Sequence, residues 1–136
     1  MALPSVGGGR QLGDGNISEV VLGTQGAPAT ATSSATLTVA QLLTGIVLGS
    51  PGSSAAAYTL PTGTLMDATL TNAKVDSSFD FSVTNVDGSG SGVITMTAGT
   101  GWTLVGLATV AATAGTTGRF RARRTAAATW TLYRLA

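Results

Sequence analysis

Histidine and cysteine are absent from all 136 residues, and the only lysine is Lys74. Without cysteine there is no disulfide framework and no thiolate metal site. Without histidine, Ser-His-Asp and Cys-His catalysis are excluded, and so is histidine-bound zinc. Charge is also scarce. Asp, Glu, Lys and Arg make up 10% of the chain and leave a net charge of +1. Residues 20–66 carry no charged side chain, and neither do residues 88–118. The chain therefore lacks most of the groups that do chemistry and most of the charge that keeps a free monomer soluble. It reads as a building block of an assembly rather than as a freely diffusing enzyme. The small net charge gives no pull toward nucleic acid or membrane.

Long apolar runs are missing too. A spanning helix needs about 20 mostly apolar residues. The first charge-free run is broken by Pro28, Pro51 and Pro61 and by Gly23, Gly26, Gly45, Gly49 and Gly52. The mean hydropathy of +0.35 comes from alanine and from scarce charge rather than from aliphatic blocks. Met1-Ala2-Leu3-Pro4 has no basic n-region, and Gly7-Gly8-Gly9 interrupts any apolar h-region, so a cytoplasmic start without a secretory signal is expected. Aromatic residues are only 5% of the chain. A core built mostly of small residues gains from burying further surface in an oligomer.

What remains is β-forming. Short runs rich in Val, Ile, Thr and aromatics, bounded by Gly, Pro, Asn, Asp or Ser, predict strands over 36–39, 45–48, 56–60, 79–85, 93–97, 103–105, 119–125 and 129–135. Their spacing of about 8–12 residues is that of an all-β sandwich or barrel. In Phe79-Asp80-Phe81-Ser82-Val83-Thr84 the alternation turns Phe79, Phe81 and Val83 toward a core and Asp80, Ser82 and Thr84 outward. The glycine-serine stretch 87–92 then predicts a hairpin loop. Short helices are expected over 39–45, stopped by Gly45, and over 64–72. In the second, Thr62 or Thr64 caps, Asp67 lies in or just beyond the first turn, and Leu65, Met66 and Leu70 form an apolar side. Residues 1–35 are poor in large apolar side chains and read as an extended arm ordered only by a partner, ahead of a domain over 36–136. Ile17-Ser18-Glu19-Val20-Val21-Leu22 is the one strand-like stretch in that arm. Ile17, Val20 and Leu22 are its candidate contact residues.

The acids are Asp14, Glu19, Asp67, Asp76, Asp80 and Asp87. Asp76 and Asp80 are the nearest pair for a glycosidase-type site, but they fit a solvated loop and an outward strand face better. Asp87-Gly88-Ser89-Gly90 has one carboxylate where a calcium loop uses several, and Gly13-Asp14-Gly15 lacks the context of a dinucleotide site. No catalytic residue, metal or cofactor is expected. The one charged constellation is Arg119, Arg121 and Arg123 at period two, with Arg124 and Arg134 nearby. On a strand the first three share a face and need anions. They are either an interface stripe, meeting carboxylates of a neighbouring chain such as Asp80 or Asp76 of another copy, or an ordinary solvated face. Trp102, Trp130 and Tyr133 fit core or interface anchors better than a sugar platform.

Four segments carry a resemblance. Ala57-Tyr58-Thr59-Leu60-Pro61-Thr62-Gly63, Ser77-Ser78-Phe79-Asp80-Phe81-Ser82-Val83-Thr84-Asn85, Thr95-Met96-Thr97-Ala98-Gly99-Thr100-Gly101-Trp102 and Gly118-Arg119-Phe120-Arg121 are similar to stretches of the head-decoration (cement) proteins of tailed bacteriophages. The likeness covers about residues 36–135 and excludes the arm. It implies a jelly-roll-like β-sandwich of about eight short strands that forms a homotrimer. It also implies a place on the outside of an icosahedral virion, clamping major capsid protein subunits, and no catalytic residues. Two other classes fit the composition. One is a trimeric tail-fibre or receptor-binding (adhesin) β domain. The other is a small carbohydrate-binding or hydrolytic domain, which needs exposed tryptophans or a paired acid.

Overall fold

The computed structural model describes residues 22–87 and 90–136, which form two β-sheets with two short helices. Strand β1 is Ala29–Ala31, β2 Ala35–Thr36, β3 Ile46–Gly49, β4 Ala56–Thr59 and β5 Ser78–Asn85. They are followed by β6 Ile94–Thr97, β7 Trp102–Val105, β8 Thr109–Val110, β9 Thr117–Ala126 and β10 Thr129–Arg134. The six-stranded sheet has the order β1-β3-β5-β9-β10-β7, and the four-stranded sheet the order β2-β4-β6-β8.

From β1 to β8 each strand lies in the opposite sheet from the one before it. Up to β6, strands that neighbour one another within a sheet are two apart in sequence and run the same way; β8 then pairs with β6 in the antiparallel sense. The pairs β1–β3, β3–β5, β2–β4 and β4–β6 are all parallel. The chain winds as a coil, and each turn adds one strand to each sheet. Backbone bonds stitch turn to turn: the Ser50 amide donates to the Ala31 carbonyl at 2.9 Å, and the Val86 amide to the Gly49 carbonyl at 2.8 Å. The hairpin β9–β10 closes the coil, with β9 antiparallel to β5 and β10 parallel to β7.

This winding corrects the hairpin expected over 87–92. Strand β5 belongs to one sheet and β6 to the other, so the segment crosses the sandwich instead of reversing within a sheet. Its Gly88 and Ser89 lie outside the described residues. Alternating burial marks a half-buried strand but carries no information about the direction of its neighbour. The expected strand over 36–39 ends at Thr36, because Thr38 starts a helix. Ala29–Ala31, placed by sequence in the arm, is an edge strand on β3, and β8 was not expected at all.

Both helices lie on crossings from the four-stranded to the six-stranded sheet. Helix α1, Val39–Leu43, begins at a capping box. The Thr38 hydroxyl accepts from the Gln41 amide at 3.1 Å, and the Gln41 side chain accepts from the Thr38 amide at 2.8 Å. Helix α2, Gly63–Thr69, is capped by Thr62, whose hydroxyl accepts from the Leu65 amide at 3.2 Å. Met66 is fully buried beneath α2, whereas Leu65, expected on its apolar side, is 54% exposed.

The few aromatics are concentrated. Every Phe and Trp of the chain joins one file of rings: Phe120 stacks on Phe81 at 5.7 Å, Phe81 meets Phe79 at 6.2 Å, Phe79 meets Trp130 at 6.3 Å, and Trp130 meets Trp102 at 5.9 Å. Such contacts add about 0.5–1.5 kcal/mol each beyond the area they bury. The file runs along the inner face of the six-stranded sheet, and Leu37, Leu42, Tyr58 and Ile94 fill the space opposite. As the alternation predicts, Phe81 and Val83 point inward with Asn85. Asn85 is wholly buried yet satisfied. Its amide group donates to the carbonyls of Gly92 and Ala111, and its side-chain oxygen accepts from the Asp87 amide. Among the described residues no helix is long and apolar enough to cross a membrane.

Candidate interaction face

Antiparallel pairing of β5 with β9 sets the geometry of the arginines. The register places Asp80 opposite Arg121, Ser82 opposite Arg119 and Ser78 opposite Arg123. Residues directly opposite share a face, so Asp80 stands in the middle of the stripe. Arg121 grips it with two bonds, Nε to Oδ1 at 2.6 Å and Nη2 to Oδ2 at 3.0 Å. Arg119 adds a third from Nη2 at 3.2 Å. Arg123 turns the other way, to Asp76, with Nε at 3.1 Å from Oδ1, and its Nη1 donates to the Tyr133 hydroxyl at 3.2 Å. Asp76 has a left-handed backbone, φ +73°, which Asp tolerates better than most residues.

The stripe is thus real, and Arg119, Arg121, Arg123 and Asp80 are brought together, but the anions come from the same chain. That corrects the expectation of carboxylates supplied by a neighbour. A one-dimensional sequence does not show that β5 and β9 are adjacent in this register, which brings the arginines to acids 39 to 47 residues away. Asp76 and Asp80 are both engaged by guanidinium groups. Of the other candidates, Ile17 and Val20 lie outside the described residues. Leu22 opens the described chain and is 85% exposed.

Arg124 follows a different course. The β9–β10 register slips between Thr129 and Trp130, and Arg124 then faces Trp130 on the inner side of the sheet. There it meets Asp67 of α2, with Nε to Oδ1 at 3.0 Å and Nη2 to Oδ2 at 2.7 Å. The same carboxylate accepts from the Ala128 amide at 2.8 Å and from the Trp130 indole N–H at 3.0 Å. Asp67 is therefore a four-donor hub tying α2 to the closing hairpin. Sequence reasoning placed it near the helix start for its charge and missed this role. The available signal was a lone acid between charge-free stretches and a fourth arginine out of step with the other three.

The tryptophans offer no sugar platform. Trp130 and Trp102 are buried, and the Trp102 indole N–H donates to the Pro61 carbonyl at 2.6 Å. No cluster of three His, Cys, Asp or Glu side chains able to hold a metal occurs among the described residues.

These contacts shape the pH response. The Arg124 bonds, followed by the Ala128 amide, hold Asp67 well below the usual carboxylate range, and Arg121 holds Asp80 down in the same way. As acid is added, the unfolded chain takes up these protons first, near its ordinary value of 3.8. Stability is therefore full above that value and falls steadily as pH drops below it. Burial pushes the Tyr58 hydroxyl above its ordinary 10.0, so stability also falls as pH rises past that value. No histidine titrates between. Urea midpoints should be level from about pH 5 to 9 and drop on both sides; a step centred near neutrality contradicts this assignment.

The outer face of the six-stranded sheet is completed by flanking residues. On one side are Ile46 and Leu48 of β3, which the register sets beside Ser82 and Thr84. On the other is Tyr133, opposite Arg121 on β10 and beside Val105 of edge strand β7, which is 48% exposed. A self-paired charged stripe thus lies between two apolar margins. No family model, no curated protein and no solved structure matches this chain.

Proposed function

We propose that this chain is a structural virion component, a head-decoration (cement) protein that acts as a homotrimer on the outside of an assembled phage shell and clamps neighbouring major capsid subunits. The observation that carries it is the outer sheet face just described. Each of its three arginines already has a carboxylate partner, Arg119 and Arg121 on Asp80 and Arg123 on Asp76, so a protein surface that covers it meets a net charge of only one and no unpaired ion, the usual penalty for docking charge. Its margins of Ile46, Leu48, Tyr133 and Val105 supply apolar area. The resemblance over residues 36–135 and the scarcity of charge point the same way. The reading rests on the two-sheet architecture rather than on jelly-roll connectivity, since a jelly roll is built of antiparallel Greek keys and the coil here pairs its strands in parallel. A cement protein binds the closed shell but not its separated parts, and so stabilises the shell by its own binding free energy.

Electron microscopy of purified virions with labelled protein tests this. Label over the head, with heads that withstand heating less well when the protein is omitted, is the expected result. Label confined to the tail overturns it in favour of the adhesin reading, and absence from virions overturns both.

A further inference from the structure

The side of the sandwich where β2 is the edge strand, with no further strand paired to it among the described residues, carries an open trough. One half is an apolar groove of ≈ 450 Å³ lined by Leu37, Val39 and Ala40 from the start of α1 and by Pro61 and Leu65 around α2. The other half, ≈ 290 Å³, is polar, with Thr30, Thr32, Ser33 and Gln41. Thr36 and Leu37 line both halves, so the two meet at the β2 edge. Leu65 stands over the groove with half its surface in solvent, which is why it departs from the expected buried side of α2. A free strand edge beside an apolar groove is the geometry that accepts an added extended segment: backbone groups pair with the edge, and alternate side chains enter the groove.

The chain itself holds a segment of that kind. Ile17-Ser18-Glu19-Val20-Val21-Leu22 is the only strand-like stretch before β1, and it ends where the described chain begins. In an extended segment Ser18, Val20 and Leu22 share one face, while Ile17, Glu19 and Val21 share the other. The first face carries no charge and ends in two apolar residues, which matches an uncharged groove and leaves the Glu19 carboxylate on the far side. The segment spans about 20 Å when extended. The exposure of the chain where it leaves the fold bears on which molecule receives it. Gln25 is fastened to the Thr44 carbonyl at 2.6 Å, at the C-terminal end of α1, and the groove lies at the other end of that helix. Residues 22–28 are exposed throughout, and Leu22 is 85% exposed. A segment folding back onto its own groove would bury Leu22.

We propose that residues 17–22 of one copy dock along the β2 edge of a second copy, with Val20 and Leu22 in the groove beside Leu65, so that each subunit gives one segment and receives one. This deepens the homotrimer reading and rests on it. A head-to-tail exchange of this kind forms a ring when the rotation between subunits closes, at a third of a turn for a trimer, and an open filament when it does not.

The natural absence of cysteine makes the test clean. Two variants of the whole chain, V20C and L65C, are mixed, equilibrated and mildly oxidised, beside the V20C/L65C double variant and a mixture of V20C with L107C, a 68% exposed position outside the trough. Sedimentation of the unsubstituted protein is measured in parallel. The expected result is a covalent dimer in the V20C plus L65C mixture, covalent oligomers from the double variant, and neither with L107C. Leu65→Asp should raise the subunit dissociation constant about 10- to 100-fold, as loss of a central apolar anchor does. An oligomer with no disulfide between subunits overturns the exchange and leaves the trimer standing. A double variant that closes only within one chain overturns it in favour of a segment covering its own groove. A folded monomer at micromolar concentration removes the oligomer reading and the exchange with it.

Discussion

Asp67→Ala should lower the thermal midpoint by about 10 °C, the largest loss expected from any single polar side chain described. The substitution strips four donors of their acceptor at once: Arg124 Nε and Nη2, the Ala128 amide and the Trp130 indole. Trp130 is almost wholly buried, and the Arg124 side chain is 16% exposed, so water replaces these bonds poorly. Leaving buried donors unsatisfied costs about 1–3 kcal/mol for each strongly buried group, and partial access to water reduces the sum here to roughly 2–4 kcal/mol. For a domain near 115 residues, that converts to a midpoint shift of about 10 °C. Asp67→Asn keeps the shape and one acceptor oxygen but turns an amide N–H₂ toward donors, so it should fall between alanine and the natural protein. Calorimetry of the three proteins at pH 7 decides the matter. A shift under about 3 °C for alanine means the hairpin is held by packing alone.

Gly63→Ala comes second, and two effects of opposite sign bear on it. Gly63 is the first residue of α2, where alanine is the better helix former by up to about 1 kcal/mol. Propensity alone predicts a stabilised protein. But a Cβ at Gly63 would lie 2.0 Å from the Ala128 carbonyl oxygen and 2.6 Å from its carbon, both backbone atoms. The same carbonyl would lie 2.3 Å from a Cβ on Gly101, so the hairpin tip is clamped between two glycines and cannot slide away. Ala128 itself has φ +50°, a conformation that the clamp and the bond to Asp67 maintain. Overpacking against backbone costs about 1–3 kcal/mol and outweighs propensity. The expected outcome is a urea midpoint shifted downward, while Thr64→Ala, on the exposed next residue, changes little. A Gly63→Ala protein as stable as the natural one shows that α2 is free to lift off the hairpin.

These two sites also show what the sequence could not disclose. Strand β5 was plain because Phe79, Phe81 and Val83 alternate with polar residues, and burial alone writes that pattern. Helix α2 was plain because Thr62 caps it and a run of helix-tolerant residues follows. Where Asp67 points was not, because it depends on a register slip in a hairpin 57 to 63 residues further along. The arginine stripe was visible and its partner was not, for the same reason: Asp80 becomes the partner only once β5 lies against β9. Ala29–Ala31 was invisible because three small residues have no burial pattern; their strand exists only because β3 offers an edge. The parallel winding was hidden because alternation is the same in a parallel and an antiparallel strand when one face is wet.

The winding also bears on the order of events during synthesis. Strands β9 and β10 come after all the other strands in the chain, yet they occupy the middle of the six-stranded sheet, between β5 and β7. While the ribosome is still reading the residues before Thr117, β5 has no partner on that side and β7 has none at all. The N-terminal turns can stack on one another, but neither the ring file nor the sheet can be completed. Folding therefore waits for the final twenty or so described residues, with a long apolar edge open until they arrive. A break or tag placed at Arg134 strikes the centre of the sheet, whereas one placed before Ala29 strikes only its rim.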